Sequence, residues 1–342
     1  MSRRSLTLAI AGLATVAAIA VAALLPVPYV ILGPGPTLNT LGESSGQPLI
    51  KISGHPTYKT TGNLNLVTVS YQGGGSNTNI FQALRAWLDP SEAVVPETEL
   101  FPSGQSVQQT QAQDTEEMTG SQQAATAAAL TALHIPYQTL VTVISTVPGY
   151  PASTALKAGD VIEAVDGKAV DGQTSLSSMI TAHPVGTVLT LTVLRDGKTL
   201  TIPVASKASG GTAVIGVDAQ EQYKFPFTVS ISVGDIGGPS AGMMFALGII
   251  DKLTPLNLTG GKFIAGTGEI TAAGQVQPIG GIQQKMLGAR SAGATIFLTP
   301  AANCSDTTGA VPAGLRLVKV STLSQAMSDL EAIKAGKSVP SC

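Results

Sequence analysis

The six residues Gly237-Gly238-Pro239-Ser240-Ala241-Gly242 constrain the fold of this chain more than any other stretch. Before them, residues 228–233 alternate polar and apolar, the period of a half-buried strand. After them, residues 241–250 are almost wholly apolar and read as a buried helix. A strand, a tight turn and a buried helix in succession commit this part of the chain to a layered α/β arrangement. The glycines permit a close turn, and Pro239 can occupy the first helical turn, where a missing N–H costs nothing. Ser240 is then expected at a helix N-terminus, where free N–H groups and the positive end of the dipole gather. A hydroxyl attacking a carbonyl at that point would have an oxyanion site beside it. The plainer reading is a Gly-Gly-Pro turn that only starts a helix, and the hexapeptide alone does not separate the two.

A second segment bears on that choice. Pro278-Ile279-Gly280-Gly281 opens an expected helix over 282–292, on which Ile282, Met286 and Ala289 form an apolar face. Lys285 falls on the same face. A lysine there either snorkels to water or does chemistry. Burial disfavours its charged form, and a neutral amine can take a proton from a serine. Ser240 and Lys285 thus have the makings of a Ser-Lys nucleophile and base.

Three blocks, taken in order, resemble the proteolytic domain of Lon proteases: Gly238-Pro239-Ser240-Ala241-Gly242, then Thr267-Gly268-Glu269-Ile270-Thr271, then Pro278-Ile279-Gly280-Gly281 with Lys285. The resemblance covers roughly residues 212 to 336. It implies Ser240 as nucleophile, Lys285 as general base, Thr267 as support for the lysine amine, and Gly238 and Pro239 as supporting loop residues. One departure stands out. Many Lon enzymes carry an acidic residue where this chain has Gly237, and Asp235 lies two positions earlier.

Composition narrows the function classes. Of 342 residues only 12% are charged, the net charge is −2, and no basic run is present, which argues against nucleic acid. His55, His134 and His183 are scattered singly, so no metal site is expected. No Gly-x-x-x-x-Gly-Lys-Ser/Thr phosphate loop occurs, so the ATPase module of typical Lon enzymes, and ATP use, are not expected. No cofactor is implied.

At the N-terminus, Ser2-Arg3-Arg4 precedes an uncharged run over 6–25, about twenty residues and enough to cross a bilayer. The arginines favour a cytoplasmic N-terminus with the remainder outside. A cleaved signal peptide is the competing reading, since Ala20-Val21-Ala22 resembles a cleavage site. Gly33-Pro34-Gly35-Pro36 suggests a stiff, turn-rich exit. Residues 62–71 read as a strand, Gly73-Gly74-Gly75 as a loop, and Ile80, Leu84 and Leu88 as a short helix. Residues 91–113 look irregular, and a helix is expected over 114–133, with Glu116 and Glu117 on its solvated face.

Residues 135–206 read as short strands, two Asp-Gly turns and a small helix over 175–182. Thr154-Ala155-Leu156-Lys157-Ala158-Gly159-Asp160-Val161-Ile162 and Val165-Asp166-Gly167 resemble a PDZ domain. Thr146-Val147-Pro148-Gly149-Tyr150 stands near the place of the carboxylate-binding loop, and a spacer that binds nothing is the alternative. Ala208-Ser209-Gly210-Gly211 reads as a hinge into the catalytic part. Cys304 and Cys342 lie in the part expected outside, where a disulfide between them is allowed.

These readings describe an α/β (α+β) Lon-type proteolytic domain, a small β-rich PDZ-like domain and an N-terminal transmembrane helix. The expected order is an anchor over 1–30, an exported region over 31–134, the PDZ-like domain over 135–206 and the proteolytic domain over 212–336. The resemblance allows the strand at 62–71 to belong to the proteolytic domain, with the PDZ-like unit inserted. It implies a membrane-anchored, ATP-independent serine endopeptidase acting on exported or membrane-associated proteins. Expected partners are protein or peptide substrates, reached through the PDZ-like domain, and the membrane; oligomeric state is open. The competing reading is a membrane-tethered scaffold with little turnover, against which the intact Ser240, Lys285 and Thr267 argue.

Overall fold

The computed structural model describes residues 3–44, 46–74, 78–101 and 106–342; Ser2, Gly75 and residues 102–105 of the stretch expected to be irregular lie outside the described residues. Two compact units are present. One joins Met1–His134 to Phe227–Cys342, and the other, Ile135–Pro226, is inserted between those halves.

The larger unit is built on six strands in the order Arg316–Val320, Ile296–Pro300, Phe263–Gly266, Asn63–Gln72, Tyr29–Asn39 and Ala93–Pro96. The first three pairings are parallel and the last two antiparallel. Parallel neighbours need long crossovers. The helix Ile282–Ser291 supplies one, between Phe263–Gly266 and Ile296–Pro300. Its apolar face packs with Val67, Ala265, Phe297 and Leu317. The helix Gly242–Leu253 is buried at all but one position, as its apolar sequence requires. Each large side chain hidden there, such as Phe245, contributes roughly 1.5–3 kcal/mol.

Three local expectations fail in this unit. Gly33-Pro34-Gly35-Pro36 does not form a turn but runs inside the strand Tyr29–Asn39. The register shifts between Pro34 and Thr37, which accommodates the missing N–H groups, and the Ser70 and Thr68 hydroxyls donate to the carbonyls of Pro34 and Pro36. The stretch 91–113 holds the strand Ala93–Pro96 and the short helix Glu97–Leu100. The long helix starts well before residue 114, at Val107, because Ser106 and Gln109 form a capping box that satisfies its first N–H groups. At the N-terminus the helix Arg3–Leu24 has no buried residue and is long and apolar enough to cross a membrane.

The inserted unit is an antiparallel sheet in the order Lys198–Ala205, Val188–Arg195, Val161–Val165, Gln138–Thr146 and Val217–Lys224. Its core gathers Val141, Ile162, Leu176, Leu189, Leu191 and Ile215. Both Asp-Gly turns form, with Asp166 and Asp196 at φ 50° and 51°. Residues 208–211 are not a hinge. Lys207–Ser209 and Thr212–Val214 pair across them as a hairpin within this unit. The compact unit runs on to Pro226, since Val217–Lys224 completes its sheet against Gln138–Thr146. The larger unit resumes at Phe227.

Cys304 and Cys342 are joined in a disulfide. It ties the C-terminal tail to the 3-10 helix Ala301–Thr307 that follows the strand Ile296–Pro300.

Candidate active site

Ser240 lies one residue ahead of the N-cap Ala241 of the helix Gly242–Leu253. Pro239 is consequently outside the first helical turn; its carbonyl accepts from Gly242 N–H at 3.4 Å, closing a tight turn before the helix begins. The N–H groups of Ser240 and Ala241 donate to no described residue, so both remain free for an oxyanion. The Ser240 carbonyl is well held: Gly268 N–H donates to it at 2.8 Å and the Thr267 hydroxyl at 2.9 Å.

Lys285 projects from the first turns of the helix Ile282–Ser291 and is 4% exposed. Its Nζ donates to Thr267 Oγ1 at 3.3 Å. Thr267 is 1% exposed and so joins the amine to the backbone of Ser240. No carboxylate pairs with the amine among the described residues. Burial pushes the Lys285 pKa down from 10.5 to about 8. Ser240 and Lys285 line one open cleft of about 1510 Å³, with Val69, Asp114, Val233 and Ile279 among its walls. No hydrogen bond links Ser240 Oγ to Lys285 Nζ in this structure.

Two features of the chain place these groups. Gly281 caps the lysine helix at φ +67°, and a Cβ there would stand 2.6 Å from Val69 Cγ2, so only glycine fits. Asn303 fastens the loop before it. Its side chain accepts from Ile279 N–H and donates to Ile279 O, each at 2.9 Å. Asn303 adjoins the disulfide-bonded Cys304, so the bridge closes the segment that carries this clamp.

The serine loop is held by the helix Val107–Ala132, to which the sequence assigned no part in the site. Gly238 N–H donates to Asp114 O, and the Ser121 hydroxyl donates to Pro239 O, both at 2.9 Å. This helix also explains the missing acid at 237. A Cβ on Gly237 would sit 2.6 Å from Asp114 Cβ, so the helix occupies the space a side chain would need. Burial raises the pKa of Asp114 and of Glu269, and the charge of Glu117 adds to both. Glu116 is exposed as expected, whereas Glu117 is only half-exposed and its carboxylate acts on the cleft rim. No local motif announces Asp114, Ser121 or Asn303; chain folding alone brings them to the loops.

In the inserted unit, a smaller groove of about 210 Å³ runs between the helix Gln173–Thr181 and residues 213–219, with Leu176, Ile180, Ile215 and Val217 among its walls. Thr146-Val147-Pro148-Gly149-Tyr150 is not among those walls. Val147 N–H instead donates at 2.9 Å to the carbonyl of Gly216, one of the groove's wall residues.

A half-buried serine at a helix entrance and a desolvated lysine on the same cleft form the constellation that a serine hydrolase with an amine base requires. Sequence comparison agrees with that class. Residues 213–331 match the Lon protease (S16) C-terminal proteolytic domain, and residues 106–205 match the PDZ domain. The chain therefore carries a Lon-type proteolytic domain and a PDZ domain. The PDZ match begins at Ser106, the N-cap of the helix Val107–Ala132, which belongs to the larger unit. Lon protease 2 of Herpetosiphon aurantiacus is 38% identical over 103 residues, 30% of this chain and 12% of that protein. Lon protease 1 of Sorangium cellulosum is 34% identical over 128 residues, 36% of this chain and 16% of that protein. The chain thus spans only a small part of the length of the relatives it matches. Among solved structures, the PDZ domain of the SdrC-like protein of Listeria monocytogenes is similar at 27% identity, covering 23% of this chain and 85% of that chain with a TM-score of 0.22.

Proposed function

We propose that this chain is a membrane-anchored, ATP-independent serine endopeptidase in which Ser240 is the nucleophile and Lys285 the general base. The observation that carries this is the Lys285 amine, 4% exposed, without a carboxylate partner, and joined through Thr267 to the backbone of Ser240. Neutral Lys285 takes the Ser240 hydroxyl proton as Oγ attacks a peptide carbonyl. The N–H groups of Ser240 and Ala241 receive the oxyanion. The protonated amine then gives its proton to the departing nitrogen, leaving an acyl-enzyme. Water, deprotonated by the again neutral amine, releases the acyl group and regenerates the hydroxyl. Gly238 and Pro239 set the loop geometry, and Thr267 orients the amine.

The helix Arg3–Leu24 anchors the chain, with Arg3 and Arg4 on the cytoplasmic side and both units outside. Protein or peptide substrates dock in the groove beside Gln173–Thr181 before reaching the larger cleft. The test uses the purified full chain in detergent, without nucleotide, on an unstructured protein such as casein. Cleavage by the wild type and none by Ser240→Ala is the expected result. Equal cleavage by both would remove Ser240 from the reaction.

A further inference from the structure

The helix Ile80–Leu88 is amphipathic in an inverted sense. Its small residues Ala83 and Ala86 face the protein and are buried, while Phe81, Leu84, Trp87 and Leu88 are 45%, 48%, 75% and 77% exposed. At 100° per residue, Phe81, Leu84 and Leu88 share one side, with Trp87 on its flank. A soluble protein has no reason to turn four large apolar side chains of one nine-residue helix to water. Arg85 is the helix's one charged residue, and its guanidinium is held by both oxygens of Glu92 at 2.9 and 3.0 Å.

The position of this helix states what covers the face. The N-terminal apolar helix ends at Leu24. Immediately after it, Pro26 makes a β-bridge with Asn79, the N-cap of Ile80–Leu88, and Val27 N–H donates to Thr78 O at 2.8 Å. Three residues of chain reach at most about 10 Å, so Val27 lies within that distance of the end of the apolar span, and Thr78 is one hydrogen bond further. The headgroup layer on each side of a bilayer is itself roughly 5–8 Å deep. The start of Ile80–Leu88 is therefore pinned at the level of the headgroups whenever Arg3–Leu24 crosses the bilayer.

We propose that Ile80–Leu88 is an interfacial helix whose Phe81, Leu84, Trp87 and Leu88 enter the outer edge of the same bilayer that Arg3–Leu24 spans, giving the proteolytic unit a second attachment to the lipid surface. This rests on the membrane-anchored reading above. Tryptophan, phenylalanine and leucine on one face of a helix beside a headgroup layer are the side chains such a surface takes. A single spanning helix leaves the unit free to pivot; two attachments fix which of its faces looks at the membrane.

Trp87 is the chain's sole tryptophan, so intrinsic fluorescence reads this helix directly. The full chain is reconstituted in phosphatidylcholine vesicles, with and without bromine on the acyl chains, and floated on a density gradient. Vesicle-bound protein should show Trp87 emission quenched at least about twofold by the brominated lipid and shielded from aqueous iodide, as for a ring at the interface. Bound protein whose Trp87 is open to iodide and untouched by bromine would overturn the inference and leave the anchor standing. Shielding from both quenchers would assign the face to a protein partner or a second copy, and also overturn it. Failure to float would remove the anchor and this inference together. The variant Phe81→Ser/Leu84→Ser/Leu88→Ser retains Trp87 and alters only exposed positions. It should stay folded by circular dichroism and regain iodide quenching; unchanged bromine quenching would show that the anchor alone sets the depth of Trp87.

Discussion

Each compact unit buries a charged side chain, and the two treat it in opposite ways. In the inserted unit Asp160 is 1% exposed, and Arg195 meets its two oxygens at 2.6 and 2.7 Å. These guanidinium hydrogen bonds hold the carboxyl below the usual carboxylate range. A third bond, from Arg195 to Ala155 O at 2.9 Å, fixes the pair in place. In the larger unit Lys285 is equally hidden but has only the Thr267 hydroxyl, and burial alone pushes its pKa to about 8. A matched buried charge is part of a scaffold, while a buried amine with no counter-ion is poised to shed its proton. The contrast separates a paired charge that fixes local shape from an unpaired amine that fits the proposed role of a base.

The largest expected effect tests the reactive side of that contrast. Lys285→Arg keeps a cation but cannot supply a neutral base, since guanidinium stays protonated in proteins. Turnover of an unfolded protein substrate should fall at least about a thousandfold. In the wild type, kcat/KM should climb about tenfold per pH unit below the lysine pKa and level off above about 8, because the neutral amine is the active form. Near-normal turnover in Lys285→Arg, or a flat profile between pH 6 and 9, would take the amine out of the mechanism.

Stability should move in opposite directions in the two units. Lowering a lysine from 10.5 to about 8 costs the folded state about 1.4 kcal/mol per unit, so Lys285→Met should stabilise the protein at pH 7 by up to roughly 3 kcal/mol. The sign follows from proton binding. Between pH 8 and 10.5 the unfolded chain holds the lysine proton more tightly, so wild-type stability rises with pH through that window, and the rise should vanish in Lys285→Met. Arg195→Ala should instead destabilise the inserted unit, because it leaves Asp160 buried without its partner. Thermal unfolding of the two variants reads both effects. Shifts of the same sign would dissolve the comparison.

The smallest effect sharpens it. Thr267→Ala removes the hydroxyl that accepts from Lys285 and donates to Ser240 O. Turnover should fall only about tenfold, the value of one orienting hydrogen bond, and Thr267→Ser should restore it. A loss as large as that of Lys285→Arg would give the threonine a part in the reaction itself.

Much of this site is legible in local pattern. The strand before Ser240 and the apolar run after it are short-range signals, and the spacing of Ile282, Met286 and Ala289 places Lys285 on the packed face of its helix, where the structure has it. The antiparallel strands of the inserted unit were equally readable, because Asp-Gly turns announce themselves in two residues. What escaped are contacts between distant segments. Asp114 O and Ser121 hold the serine loop from a helix more than a hundred residues away, and Asn303 holds the lysine loop from beyond the next strand. The Gly-Pro repeat after the apolar helix departs from its local expectation for the same reason. Its residues favour a turn locally, but pairing with Asn63–Gln72 across a register shift draws it into the sheet.

The order of residues is enough to point to the candidate side chains: a hydroxyl at a helix entrance, an amine on an apolar face and a threonine between their motifs. That information is local, since backbone geometry and periodicity depend on neighbours in the chain. Whether the amine can be neutral near pH 8 is a different matter. It depends on how completely Val67, Ala265, Phe297 and Leu317, drawn from four strands, pack around its helix and exclude water. The same holds for Gly237, whose missing side chain has its cause in a helix laid against it by the fold. Desolvation and steric exclusion are sums over every atom within a few ångströms, and the chain acquires those neighbours only when it has folded.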